Sequence, residues 1–263
     1  MSFLQFAEMH GLKISSLIMD RWVRVPTEDH PHKKNGAYIF DGISGAVKNW
    51  AVHEKAISWH SKEAYRPDPQ LKAKREKAEK DRLARQEKAA HRAGMIMKSA
   101  VLAHHPYLER KGFKDKGYVW NDLLVLPMRI EGKLIGCQLI SHDGTKRFLS
   151  GQVTKGASLT IDNKGRDILC EGFATALSVK KAMKAMKLRY TIHVCFSASN
   201  MLEIAKNCTN PLVIADNDPV GIKTAQRIGQ YWVSDVAGED FNDAEQRLGK
   251  SVCQSLSPLL EVL

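Results

Sequence analysis

The sequence predicts an α/β fold: a parallel sheet flanked by helices, preceded by a small β-rich basic subdomain and an N-terminal α+β module. Three observations carry this. After residue 166 short apolar runs alternate with helix-like runs, the pattern of a parallel sheet with crossover helices. Residues 123–151 form apolar runs split by Glu131-Gly132 and Asp143-Gly144, the pattern of an antiparallel meander. Residues 1–60 combine one amphipathic helix with tight-turn pairs.

The first of these elements is a helix with Phe3, Phe6, Ala7 and Leu12 on its apolar face. Asn35-Gly36 and Asp41-Gly42 then flank the alternating run Ala37–Phe40, so strands and tight turns are expected. Lys33, Lys34 and Lys48 mix with Tyr38 and Trp50, as on single-strand nucleic-acid surfaces; a small sheet with aromatics in its core explains the same residues equally well. Residues 66–92 hold ten Lys/Arg against five Asp/Glu, with strong helix formers and no continuous apolar stripe. That composition predicts a solvated helix that is not buried, a linker or a phosphate-contacting helix.

The meander is expected as strands near 123–130, 134–141 and 146–149. Beyond it the strands Asp167–Cys170, Ile192–Phe196 and Leu212–Ala215 alternate with helices over 174–186, from Asn200, and over 221–230. The domains expected from these shifts are 1–65, 66–93, 94–165 and 166–263.

With 40 Lys/Arg against 29 Asp/Glu, the formal net charge of +11 points to a polyanionic partner, nucleic acid before an anionic membrane surface. The five cysteines include no CxxC pair, which argues against a zinc ribbon and a disulfide framework and suits a reducing cytoplasm. His30 and His32 lack cysteine partners, so no zinc is expected. The opening residues lack the pattern of a signal peptide, and no run approaches the ~18 apolar residues of a membrane span, so no membrane partner is expected.

In this basic chain, acidic residues gather where strands end. Glu171 follows the strand ending at Cys170, Asp216 and Asp218 follow the strand ending at Ala215, and Asp240 and Asp243 lie in "GEDFNDAEQ". If the strands are parallel neighbours, these carboxylates share one edge of the sheet, where ligands of such sheets bind. Asp at a helix start is also a common cap, so Asp216 and Asp218 taken alone have a plain structural explanation. The set in this order favours Mg²⁺, a hard cation held by carboxylates and substrate phosphates. Two such ions can clamp the oxygens of a phosphoryl transfer.

"CEGFATALS", "ADNDPVGIKTAQRIG" and "GEDFNDAEQ" resemble the three signatures of the Toprim domain, shared by topoisomerases and bacterial-type primases. The match is nearest to phage- and plasmid-type DNA primases. "HHPYLERKGF" and the run 123–151 resemble the basic subdomain before Toprim in these primases, and "RVPTEDHPHKKNGAYIFDGISGAVKNW" is similar, less specifically, to their N-terminal module. The resemblance implies a Toprim-type sheet and metal-dependent synthesis of RNA primers from ribonucleoside triphosphates on a single-stranded DNA template, with a separate replicative helicase as a partner. It implies that Glu171 is a metal ligand or general acid/base, that Asp216 and Asp218 are metal ligands for Mg²⁺ or Mn²⁺, and that Asp240, or Asp243, is the third aspartate. It further implies that Lys146 and Arg147 meet triphosphate or template.

"YWVSDVAG" leaves room for one abbreviated strand before Asp240. "RLGKS" at 247–251 echoes a P-loop, but Ala244 stands where its first glycine belongs and the preceding run reads as helix, so no ATPase motor is expected. A Toprim-type nuclease and a non-catalytic DNA-binding replication protein are the alternative functions.

Overall fold

The computed structural model describes residues 1–61, 69–161 and 164–260, and the side chains of 69–72 and 75 are not described. The chain divides into two compact units, Met1–Glu76 and Lys77–Leu263.

In the first unit, helix α1 (Phe3–Met9) starts with a capping box between Ser2 and Gln5. Four antiparallel strands follow: β1 (Val23–Val25), β2 (Gly36–Phe40), β3 (Ser44–Asn49) and β4 (Ile57–His60). Phe3, Ala7, Leu12, Val25, Tyr38 and Val47 form their core. Tyr38 is therefore a core residue, with its hydroxyl accepting from Ile18 N at 2.8 Å. Trp50 stays exposed, with the Arg24 guanidinium 4.0 Å from its ring centre.

Helix α2 (Pro69–Ser99) is longer than the basic run foretold. The expectation that this helix is nowhere buried is corrected near its end. Ala89 and Ala93 are buried, and Ala93 and Ile96 pack with Val125, Cys137 and Leu149 of the following sheet. Small residues recurring there are enough to seat a helix, although they make no strong apolar stripe in the sequence.

That sheet is antiparallel: β5 (Val101–Ala103), then after the short helix α3 (Pro106–Arg110) β6 (Gly117–Trp120), β7 (Leu123–Ile130), β8 (Lys133–Ile140) and β9 (Lys146–Phe148), paired in sequence order. The three strands of the expected meander are β7, β8 and β9, within a residue or so at each end.

A second five-stranded sheet completes the unit. It comprises β10 (Leu159–Ile161), β11 (Arg166–Cys170), β12 (Tyr190–Val194), β13 (Leu212–Ala215) and β14 (Tyr231–Val233), in the order β10-β12-β11-β13-β14. Only the edge strand β10 is antiparallel; the other pairings are parallel. The connecting helices are α4 (Phe173–Ala185), α5 (Ala198–Ala205) and α6 (Pro219–Ile228), followed by α7 (Phe241–Leu248), a 3₁₀ turn (Gly249–Ser251) and α8 (Val252–Leu260). The fold class is thus the expected one. "RLGKS" lies in the end of α7 and the 3₁₀ turn, which excludes a P-loop.

Alternation along the strands sets the two layers. Ile168, Cys170, Ile192, Val194, Leu212 and Ile214 face α4, α7 and α8, packing with Val179, Phe241 and Leu256. Leu169, Val213 and Ala215 face the other way, onto Met201 and Ile204 of α5 and Ala225 of α6. Strands buried on both faces read as unbroken apolar runs, as "LVIA" does. Each fully buried Leu or Ile contributes about 1.5–3 kcal/mol of transfer free energy. Among the described residues, no helix is long and apolar enough to cross a membrane.

Candidate active site

Two neighbouring strands send their helices to opposite faces. β11 continues into α4 on one layer, and β13, hydrogen-bonded beside it, continues into α6 on the other. Helices that leave neighbouring strands on opposite faces open a crevice beyond the strands' carboxyl ends, the usual ligand position in open α/β sheets. Glu171 directly follows β11 and Asp216 directly follows β13, with Cys170 and Ile214 in register. Adjacent strands lie about 4.8 Å apart, so the two carboxylates leave one place.

Asp218 caps α6, accepting from Gly221 N at 2.6 Å, and Pro219 supplies the fixed φ that suits a first helical position. The capping role and the place at the crevice coexist in this residue. A Cβ on Gly221 would come 2.4 Å from the Asp216 carbonyl oxygen, so only glycine lets α6 start this close. Gly172, by contrast, has φ −103°, which any residue adopts, so the turn after Glu171 does not require a glycine.

Asp240 comes from a third direction. β14 is the abbreviated strand for which the sequence left room, and the loop after it ends in Asp240, the N-cap of α7. Asn217 holds that loop to the D-x-D turn. Its Nδ2 donates to Ser234 O (2.9 Å) and Val236 O (3.0 Å), its N–H donates to Glu239 O (3.0 Å), and its carbonyl accepts from Gly238 N (2.8 Å). Arg247 supports the loop from outside, donating to both Glu239 and Asp235.

The electrostatics show which acids meet. Burial raises the Asp216 carboxyl from its ordinary 3.8 to about 7, and the negative charges of Asp240, Glu171 and Asp218 push the same way. Burial, then Asp218, raises Glu171. Asp216 Oδ1 is buried and accepts no hydrogen bond, which is costly unless something else meets it. Asp243 is turned away: it closes the capping box with Asp240 and takes the Lys111 ammonium at 3.1 Å, while Asp240 sits 3.7 Å from the same ammonium. Between the two candidate aspartates, Asp240 is the one that faces Asp216.

Lys146 and Arg147 part company. Lys146 pairs with Ile140 and shares its face, and Phe148 on that face meets Phe196 with ring centres 6.3 Å apart. The Lys146 charge lowers both Glu171 and Asp216. Arg147 pairs with Leu139, which packs in the α2 cluster, so it stands on the opposite face, away from the acids.

Sequence reasoning missed Lys111, Asn217 and Phe196. Phe196 holds φ 66°, an uncommon value for an aromatic residue, while its N–H donates to the Glu171 carbonyl at 2.9 Å. Lys111 stands in "LERKGF", where partners more than 120 residues away, Asp240 and Asp243, leave no local signal. Asn217 was visible in "DND", and its two-donor amide was the available clue.

The donors fit a divalent cation. All are hard oxygens, their charges repel one another, and the unpartnered Oδ1 of Asp216 offers an open acceptor. In their side-chain positions here, the four acids do not bring three donor atoms within 4.8 Å of one another; among the described residues only Asp167, His193 and Cys208 do so.

No family model matches the chain. Several solved structures are similar to it. One is a chain from the bacteriophage T7 complex of lagging-strand DNA polymerase with the primase domains of two gp4 subunits bound to an RNA/DNA hybrid and dTTP. It is 16% identical, covering 56% of this chain and 82% of that chain, with a TM-score of 0.41. The primase fragment of the T7 primase-helicase protein is 15% identical, covering 58% and 68%, at 0.39. The DnaG catalytic core is 13% identical, covering 73% and 74%, at 0.39.

Proposed function

We propose that this chain is a DNA primase of the Toprim type, joining ribonucleotides on a single-stranded DNA template. The observation that carries the reading is the position of Glu171 and Asp216 directly after the adjacent parallel strands β11 and β13, with Asp218 and Asp240 near enough to raise the Asp216 carboxyl and one of its buried oxygens unpartnered. The three Toprim-like signatures contain those residues in that order along the chain, the third holding Asp243 beside Asp240. Asp216, Asp218, Asp240 and Glu171 would hold Mg²⁺ or Mn²⁺, which when bound supplies charge stabilisation for attack on an α-phosphate.

The chain's own residues do the remaining work. Glu171, its carboxyl held up by burial and Asp218, is suited to accept the proton of a 3′-hydroxyl or to complete the ligand set. Lys146, in the field of the same acids, meets the triphosphate. Asn217, Arg247 and Lys111 hold Asp240 against the D-x-D turn, and catalysis rests on that positioning. The net charge of +11 serves the template.

The test is to incubate the purified chain with single-stranded DNA, ribonucleoside triphosphates and Mg²⁺ or Mn²⁺, and to resolve the products. Short RNA is expected from the unaltered chain and none from Asp216→Asn/Asp218→Asn. Equal yield from both would refute the site. Strand scission without triphosphates would replace polymerisation with a nuclease, and salt-sensitive DNA binding without any product would leave a binding protein.

A further inference from the structure

We propose that Asp167, His193 and Cys208 form a second metal site, a three-ligand clip for a transition ion of the zinc class, separate from the acidic crevice. Their donor atoms, a carboxylate oxygen, an imidazole nitrogen and a thiol sulfur, all lie within 4.8 Å of one another. This mixed O, N, S set suits Zn²⁺ and not Mg²⁺, which prefers oxygen alone. The two sites are physically apart: Asp167 and Glu171 lie near opposite ends of β11, four residues or about 13 Å of extended strand from each other.

The fold explains the convergence. Asp167 shares the sheet face of Leu169, and Leu169 is in register with His193 on β12, so both polar side chains point toward the α5 layer. Cys208 lies just beyond α5 and packs against that same layer. All three are half-buried, enough to shelter an ion and open enough to admit one.

Geometry and chemistry fit a tetrahedral ion. At bond lengths of about 2.0–2.3 Å, neighbouring ligand atoms sit roughly 3.3–3.6 Å apart. The present spread is within a side-chain rotation of that spacing. His193 Nε2 now contacts Asp167 Oδ1 at 2.8 Å, so the pair opens by about half an ångström to take an ion between them.

An outer partner is already in place. His193 Nδ1 meets Thr160 Oγ1 at 3.3 Å, and Thr160 Oγ1 meets Ser158 Oγ at 3.3 Å. A hydroxyl can donate or accept. It can therefore donate to Nδ1 while Nε2–H faces Asp167, and accept from Nδ1–H once Nε2 binds metal. Metal-ligating histidines usually have such a partner.

Among the described residues, His193 Nε2 is the one basic-side-chain nitrogen within 4.0 Å of the Asp167 carboxylate. A cysteine thiol is ordinarily protonated at neutral pH, and it binds metal as the thiolate. Binding therefore displaces the thiol proton, the S–H bond breaking as the S–metal bond forms. Aspartate and thiolate together then balance the charge of a divalent ion.

The full-length chain, stripped of metal, is titrated with Co²⁺ as a spectroscopic probe and with Zn²⁺ in a weakly buffered solution. One equivalent is expected to give a thiolate-to-cobalt absorption band, and Zn²⁺ to release about one proton per chain. The band should vanish in Cys208→Ser and persist in Cys253→Ser and in Asp216→Asn/Asp218→Asn. Thr160→Val should weaken Zn²⁺ about 10- to 100-fold. Should Cys208→Ser fold poorly, X-ray absorption of the unaltered chain with one Zn²⁺ decides, with one sulfur at about 2.3 Å expected. A shell of nitrogen and oxygen alone, or a band that survives in folded Cys208→Ser or is lost in Asp216→Asn/Asp218→Asn, overturns the proposal.

Discussion

Replacing Asp216 by Asn keeps the shape of the side chain and removes its charge, which isolates the cost of burying that charge among other acids at the end of β13. The Asp216 carboxyl is raised from 3.8 to about 7, so between those values the folded chain holds a proton that the unfolded chain has lost. The stability this group contributes is fully present below about pH 4 and is lost as pH rises through about 7. At about 1.36 kcal/mol per pH unit, the interval bounds the cost of ionisation at about 4 kcal/mol. Asp216 is partly reached by water, and screening leaves roughly half of that, about 2 kcal/mol.

In EDTA at about pH 8, Asp216→Asn is therefore expected to be about 2 kcal/mol more stable than the unaltered chain, with the difference vanishing near pH 4. Urea unfolding at the two pH values measures it. Saturating Mg²⁺ should reverse the order: at one hundred times its dissociation constant it stabilises the native state of the unaltered chain by about 2.7 kcal/mol, and the variant by less than about 0.7 kcal/mol. A variant no more stable than the unaltered chain at the higher pH, or a difference indifferent to pH, would refute the reasoning.

Gly221→Ala should cost about 1–3 kcal/mol in urea unfolding, because its Cβ meets the Asp216 carbonyl oxygen at 2.4 Å and α6 must shift. The same variant should lose most of the stabilisation by Mg²⁺; unchanged unfolding would show that the turn has slack. Lys146→Ala should weaken ribonucleoside triphosphate binding about 10- to 100-fold in calorimetry, the worth of one charge-assisted contact, while Arg147→Ala changes it by less than about twofold. Equal losses in the two would mean that both faces of β9 meet the nucleotide.

Periodicity and turn chemistry carried the local structure. "LVIA" matched β13 to the residue, and the runs around Glu131-Gly132 and Asp143-Gly144 marked β7, β8 and β9, because strand alternation and positive-φ turns are local properties. The weaker signals were three-residue strands such as β5, β10 and β14, whose existence depends on a neighbour to pair with. Helix α2 extended past its basic run because packing on a sheet, which composition does not show, selected Ala93 and Ile96.

By itself, the sequence determined the alternation of strands and helices after residue 166 and the acidic residues that end three segments. Each follows from short-range sterics and hydrophobic spacing. Only the tertiary structure decided that β11 and β13 are neighbours, which brings Glu171 and Asp216 to one crevice. It also turned Asp243 toward Lys111 and Asp240 toward Asp216, put Lys146 and Arg147 on opposite faces, and gathered Asp167, His193 and Cys208. Those outcomes depend on strand order and register, which are set by the packing of the whole sheet against its two helical layers.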